Sequence, residues 1–174
     1  MKTEVSHLLH AAAICLLASC TASVATPDEQ NDPTSNDKSV VVVNQGGFEF
    51  QMHLPETLDS AQNTLINFND ATGMLEVSSG PSFSFHISRG KTDIEKIKRE
   101  LSEDAFFRNI IVEEDDSSLL YQQVLPDGHS FFYHYVHILN FDDAPCYART
   151  ASTSEFTLQQ VEQMKTTIQS ITAL

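Results

Sequence analysis

Between residues 48 and 54 the chain alternates strictly, with Phe48, Phe50, Met52 and Leu54 on one side and Glu49, Gln51 and His53 on the other. A period of two predicts a strand buried on one face, and Pro55, which has no N–H to donate, closes it. The pattern returns after Gly80-Pro81, where Phe83, Phe85 and Ile87 alternate with Ser82, Ser84, His86 and Ser88. That predicts a second strand with one wet face. Shorter apolar or β-branched runs predict further strands at residues 40–43, 65–68, 75–77, 110–112 and 146–149. Asn44-Gln45-Gly46-Gly47 and the segment from Asn69 to Gly73 have the chemistry of turns. Residues 119–125 and 131–141 predict a hairpin joined by Pro126-Asp127-Gly128-His129. In its second arm Phe131, Tyr133, Tyr135 and Leu139 oppose Phe132, Val136 and Ile138, as in a central strand covered on both sides.

Two stretches change to the helical period. Ile94, Ile97 and Leu101, continued by Ala105, make one apolar stripe. Thr92 and Glu95 have capping-box spacing, Asp93 and Glu95 suit the positive end of the helix dipole, and the helix is expected to end near Asp104. Leu158, Val161, Met164, Ile168 and Ile171 make the other stripe. Thr157 and Gln160 are spaced as a capping box, and Phe156 and Val161 as a hydrophobic staple. Strands, a helix, more strands and a helix, without internal repeat, predict an α+β domain over residues 40–174. Its expected architecture is an antiparallel β-sheet with two helices packed on it.

Ahead of this domain lies an apolar stretch from Val5 to Ala18, too short for a helix spanning a ~30 Å hydrocarbon core. It fits the apolar region of a signal peptide and ends in Leu17-Ala18-Ser19-Cys20. These four residues resemble the lipobox of bacterial lipoprotein precursors: an aliphatic residue, two small ones, then the cysteine. The resemblance implies a signal peptide over residues 1–19, cleavage between Ser19 and Cys20, and lipid of the diacylglycerol and palmitate kind on Cys20. Several acyl chains, at about 0.8 kcal/mol per buried CH₂, anchor firmly where a single chain does not. The residues alone leave open an ordinary signal cut near Ala18 or Ala22, or an N-terminal helix of a soluble protein. Lys2 is offset by Glu4, and His7 and His10 interrupt the leader. Residues 20–39, rich in Ser, Thr, Asp and Asn with Pro27 and Pro33, are expected to be a disordered, flexible tether reaching roughly 25 Å.

The chain has 174 residues, of which the roughly 130 left after leader and tether can bury about two-thirds of their unfolded surface. Its 24 Asp+Glu against 10 Lys+Arg give a net charge of -14, which argues against nucleic acid as a partner and against adhesion to anionic lipid by a basic patch. With Cys15 in the leader and Cys20 acylated, Cys146 is the single thiol of the mature chain.

Candidate chemistry is sparse. His134 and His137 lie three apart in a strand, a spacing that puts them on opposite faces, away from a common ion. His86 is a third candidate, without an identifiable partner. The run Glu113-Glu114-Asp115-Asp116, with Asp142 and Asp143, lacks the alternating ligands and central glycine of an EF-hand loop. A reactive Cys146 would need a thiol pKa lowered by nearby cations or a helix N-terminus; its local neighbours are Asp142, Asp143 and Arg149, and it reads as a small buried hydrophobe. No Gly-x-Ser-x-Gly, His-Glu-x-x-His or Ser-x-x-Lys pattern occurs. No catalytic, metal or cofactor residue is therefore assigned. The expected function is that of a membrane-anchored cell-envelope lipoprotein, a non-catalytic binding or accessory subunit with a possible envelope protein partner. The alternatives are a carrier of a small apolar ligand or lipid, and an enzyme of unassigned reaction.

The order of elements also resembles the PsbP/Mog1-like α/β sandwich family over most of residues 40–174. The features that carry it are Leu54-Pro55 after the alternating strand, the long aromatic strand, Cys146-Tyr147 and the final helix. The resemblance implies a sheet sandwiched by helices and a family of accessory subunits, transport adaptors and envelope lipoproteins. It carries over no binding residue, and a shared fold would not fix a function.

Overall fold

A computed structural model describes residues 39–56, 58, 63–141 and 144–174. The chain divides into units Met1–Ser35 and Asn36–Leu174, and the described residues belong to the second. The leader at 1–19, Ser19, Cys20, nearly all of the tether, Asp142 and Asp143 lie outside them. Ser39, at the tether's end, already accepts a hydrogen bond from the Leu54 amide at 2.9 Å.

The α+β class is observed. In chain order the elements are β1 (Val40–Gln45), β2 (Phe48–His53), β3 (Leu65–Asn69), β4 (Met74–Ser78), β5 (Ser84–Arg89), α1 (Ile94–Ser102) and β6 (Arg108–Glu114). They continue with β7 (Ser118–Val124), β8 (Phe131–Phe141), β9 (Ala144–Thr150), α2 (Leu158–Gln169) and β10 (Thr172–Ala173). The strands divide between two antiparallel sheets, a small one ordered β1-β2-β10 and a large one ordered β3-β4-β5-β9-β8-β7-β6.

Alternation decides which face each strand buries. Leu75, Val77, Phe85, Ile87, Leu120, Tyr135, Leu139 and Ala148 of the large sheet meet Val43, Phe48, Phe50 and Met52 of the small sheet and Val161, Met164 and Ile168 of α2 in the main core. The opposite face offers Leu119, Tyr121 and Val136 to Ile94 and Ile97 of α1, a second and smaller core. Strand β8 is thus covered on both sides, as its sequence predicts.

Several boundaries differ from expectation for local reasons. Strand β1 runs on through Asn44 and Gln45, because Gly46 and Gly47 alone make the turn, at φ 58° and 77°. A two-residue turn with both φ positive matches the twist of a hairpin. Helix α1 is capped by Asp93, whose carboxylate accepts the Lys96 amide at 2.7 Å, so Thr92 lies one residue outside the cap. The helix stops at Ser102. The Asp104 side chain then takes the Phe106 and Phe107 amides and turns the chain away, leaving Ala105 exposed and off the stripe. In α2 the capping box of Thr157 and Gln160 forms, but Leu158 in the first turn faces solvent. Strand β10 is only two residues long, too short to show a period, and pairs with Phe50 and Gln51.

Candidate functional site

The second core leaves an edge uncovered. Ile94 and Ile97 seat α1 over β7 and β8, while β6 lies beyond them as the outer strand of the large sheet, with no strand on its far side among the described residues. Between α1 and β6 runs a groove. One part, of 540 Å³, is lined by Lys98, Arg99, Leu101 and Ser102 of the helix and Asn109 and Ile111 of the strand. The other, of 730 Å³, is lined by Asp93, Ile94 and Glu95 at the start of the helix and by Glu114, Asp115 and Asp116. Glu95 borders both parts.

The strand along the groove is unusual for an edge. Ile110, Ile111 and Val112 are 39%, 39% and 46% exposed, and Phe106 just before them is 79% exposed. A bulge between Ile111 and Glu113 shifts the register with β7, so the uninterrupted run of pairing is residues 108–111, and pairing resumes at Glu113 and Glu114. Past the bulge, successive acids turn to opposite faces. Glu114 meets Lys98 of α1 at 2.8 Å, and Glu113 meets Lys165 of α2. Lys98 also reaches Glu95 at 3.1 Å, so it straps the groove between helix and strand, and these two carboxylates raise its pKa.

At the acidic end, Asp115 is held in its ionised form. The Ser118 hydroxyl donates to Asp115 at 2.7 Å and the Ser117 amide at 2.8 Å, which hold its carboxyl at about 2. Asp115 therefore serves the turn between β6 and β7, yet its charge remains at the mouth of the groove. The arrangement offers a backbone edge, an apolar floor and five carboxylates within one surface. Such a surface suits an extended polypeptide with apolar and cationic side chains.

The histidines are dispersed. His134 and His137 point to opposite faces, as the register of β8 with β7 and β9 requires. His134 is buried, stacked on Tyr121 with ring centroids 5.3 Å apart, and burial together with the Arg149 charge lowers its pKa to about 4. His137 stacks on Tyr135 and His86 sits opposite Glu76 and Arg149; burial lowers both pKa values. Among the described residues no three His, Cys, Asp or Glu side chains gather as a metal site. Cys146 is buried in the main core, and burial pushes its thiol pKa up.

Sequence reasoning found the acidic run and the apolar triplet of β6 but not their joint boundary with α1. The pair Lys98–Glu95, which sequence reasoning did not single out, has helical i,i+3 spacing as a local signal; Lys98–Glu114 joins two elements and carries none. No helix among the described residues is long and apolar enough to cross a membrane. No protein-family model, curated protein or solved structure matches the chain.

Proposed function

We propose that this chain is a non-catalytic binding or accessory component of the bacterial cell envelope, anchored to a membrane through lipid on Cys20. In this reading the groove between α1 and β6 docks an extended, cationic segment of an envelope protein. The anchor rests on the resemblance of Leu17-Ala18-Ser19-Cys20 to a lipobox. The docking rests on one observation, the apolar groove beside an open strand edge that ends in five carboxylates.

Added strands gain affinity from main-chain hydrogen bonds and specificity from alternate side chains. Here residues 108–111 supply the pairing edge, Ile111 and Leu101 the apolar contact, and the acidic mouth the sign of the partner's charge. A net charge of -14 steers cations toward the domain before contact. A carrier of apolar ligand or lipid would need an enclosed apolar cavity of ~300 Å³ or more. The space between the large sheet and α2 is instead filled by Phe50, Met52, Phe85, Met164 and Ile168, all fully buried. That packing favours a partner over a carrier.

Two measurements test the halves separately. Fractionation of the Cys20→Ala chain should move it from membrane to soluble fractions; continued membrane association removes the anchor. Binding of a short fluorescent peptide of alternating Val and Lys should weaken with salt and be lost in Ile111→Lys. Equal binding of a Val and Glu peptide, or indifference to Ile111→Lys, removes the docking reading and leaves the anchor standing.

A further inference from the structure

In so acidic a chain, cations that gather with few acidic partners need a reason. On the far side of α1 from the groove, a cavity of 230 Å³ is lined by Gly90, Lys91, Thr92, Lys96, Tyr147 and Arg149, among others. Arg149 stands on β9, the middle strand of the large sheet, opposite His86 on β5 and Val136 on β8. It is half-buried, and among the described residues no carboxylate lies within ion-pair distance of it. Its Nε is sealed from solvent without a hydrogen-bond acceptor. Buried donors are almost always satisfied, so this orphaned Nε is unusual; the half-buried Arg149 side chain otherwise lines the cavity with no counter-charge among the described residues, which favours an anion there.

The neighbouring groups agree. Among the described residues Glu100 is the one acid on the cavity wall, and its contact with Lys96 is loose, at 3.9 Å between exposed side chains. The Arg89 guanidinium is engaged elsewhere, on the Gly47 carbonyl and over the Phe48 ring. The cations left to face the cavity are Lys91, Lys96 and Arg149.

We propose that this cavity binds a phosphate or phosphomonoester group, held by the Arg149 guanidinium and the Lys91 and Lys96 ammonium groups. The volume is below the ~300 Å³ at which drug-sized ligand sites begin, so it takes the anionic group and leaves the rest of the ligand outside. An arginine fork with two ammonium groups matches a tetrahedral dianion better than a single planar carboxylate. Remote acids of the domain are screened beyond about 10 Å at 0.1 M salt, so the local cations set the sign. The site is separate from the α1–β6 groove and does not depend on what docks there.

The test is a titration of the full-length protein, in phosphatidylcholine vesicles, with inorganic phosphate at constant ionic strength, read from the arginine Nε–H resonances and by calorimetry. A saturable shift of the Arg149 resonance is expected at or below ~10 mM phosphate. Lys91→Gln, an exposed change that leaves the fold alone, should weaken binding about tenfold. Arg149→Gln should abolish it, and Arg108→Gln on β6 should not alter it. Repeating the titration in vesicles containing phosphatidic acid separates the sources. A rightward shift identifies the group as a lipid headgroup, and an unchanged titration identifies a soluble phosphomonoester. Absence of a saturable Arg149 response, or equal binding by wild type and Lys91→Gln, overturns the site.

Discussion

Helix α1 is docked through a core separate from the main one, and the same substitution made in each core should show how far their stabilities are coupled. Ile97 and Ile168 are 1% and 0% exposed, on α1 and α2 respectively. Isoleucine to alanine removes three carbons, about 2.4 kcal/mol of transfer free energy at ~0.8 kcal/mol each, and the cavity left behind brings the cost to about 3 kcal/mol. In Ile168→Ala that cost falls on the main core that joins both sheets and α2. Its melting temperature should drop by roughly 10 °C, and exchange should accelerate throughout the domain. In Ile97→Ala the apolar contacts that still hold α1 are Ile94 and part of Leu101, beside the exposed Lys98–Glu114 pair and the Asn109 bond to the Leu101 carbonyl. A free nine-residue helix is not stable, so α1 should undock locally once its docking energy is exceeded. The global loss is then capped at the cost of undocking. Hydrogen exchange with mass spectrometry should show peptides of residues 94–102 exchanging about 100-fold faster, with β8 and β9 protected as in wild type. If Ile97→Ala lowers the urea midpoint as far as Ile168→Ala and speeds exchange evenly, α1 is no separate unit and the reasoning fails.

Three further outcomes follow from local geometry. Asp115 has its carboxyl held at about 2 instead of 3.8, so its stabilisation is present above pH 3.8 and is lost as pH falls through about 2. It is exposed, so solvent screening keeps the effect below about 1 kcal/mol; urea unfolding of Asp115→Asn should show a flatter profile between pH 4 and 2, and a profile parallel to wild type refutes it. His134 acts in the same direction in a higher pH window: its folded pKa of about 4 lies below 6.5, so the unfolded chain binds the proton first. Stability is complete above pH 6.5 and is lost, by about 1–3 kcal/mol, as pH falls toward 4; His134→Gln should remove that slope, and a native ring titrating near 6.5 by NMR would contradict it. Gly46 and Gly73 both have positive φ, but a Cβ on Gly46 would strike the Phe68 ring while one on Gly73 meets nothing within 4 Å. Gly73→Ala should cost about 1 kcal/mol of backbone strain and Gly46→Ala at least about 2 kcal/mol; equal thermal shifts would show that Phe68 yields freely.

What was legible in the sequence is what short-range physics determines. The alternation at 48–54 and 83–88, the two-sided aromatic strand and the α2 cap all depend on residues within a few positions of one another, and the structure has them where expected. What was not legible depends on elements meeting. Nothing in residues 40–53 says that their hairpin joins β10 in its own sheet instead of extending the large one. Pro55 stops β2 but does not say where the chain resumes. Arg149 reads as one cation at a strand end, and only the order β5-β9-β8 places it mid-sheet beside His86. The groove was hidden for the same reason, since residues 93–95 and 114–116 are brought together by a crossover from the middle of the sheet to its edge.

Lys98 offers the sharpest test of whether charge or shape governs that groove, because it does two things at once. It neutralises Glu95 and Glu114 beside the acidic mouth, and it straps α1 to β6. Lys98→Met keeps the apolar stem and removes the charge. If the groove attracts a cationic segment by its field, the variant exposes two more uncompensated carboxylates. Two unit charges at about 4 Å interact by roughly 1 kcal/mol in water, so affinity for the Val and Lys peptide should rise about fivefold at low salt. Screening shortens to about 3 Å at 1 M, and the gain should vanish there. If instead the strap is what keeps the groove open to the width of a strand, Lys98→Met should bind more weakly at every salt concentration. Fluorescence anisotropy across a salt series distinguishes the two, and a uniform loss would assign recognition to the position of α1 instead of to the five carboxylates.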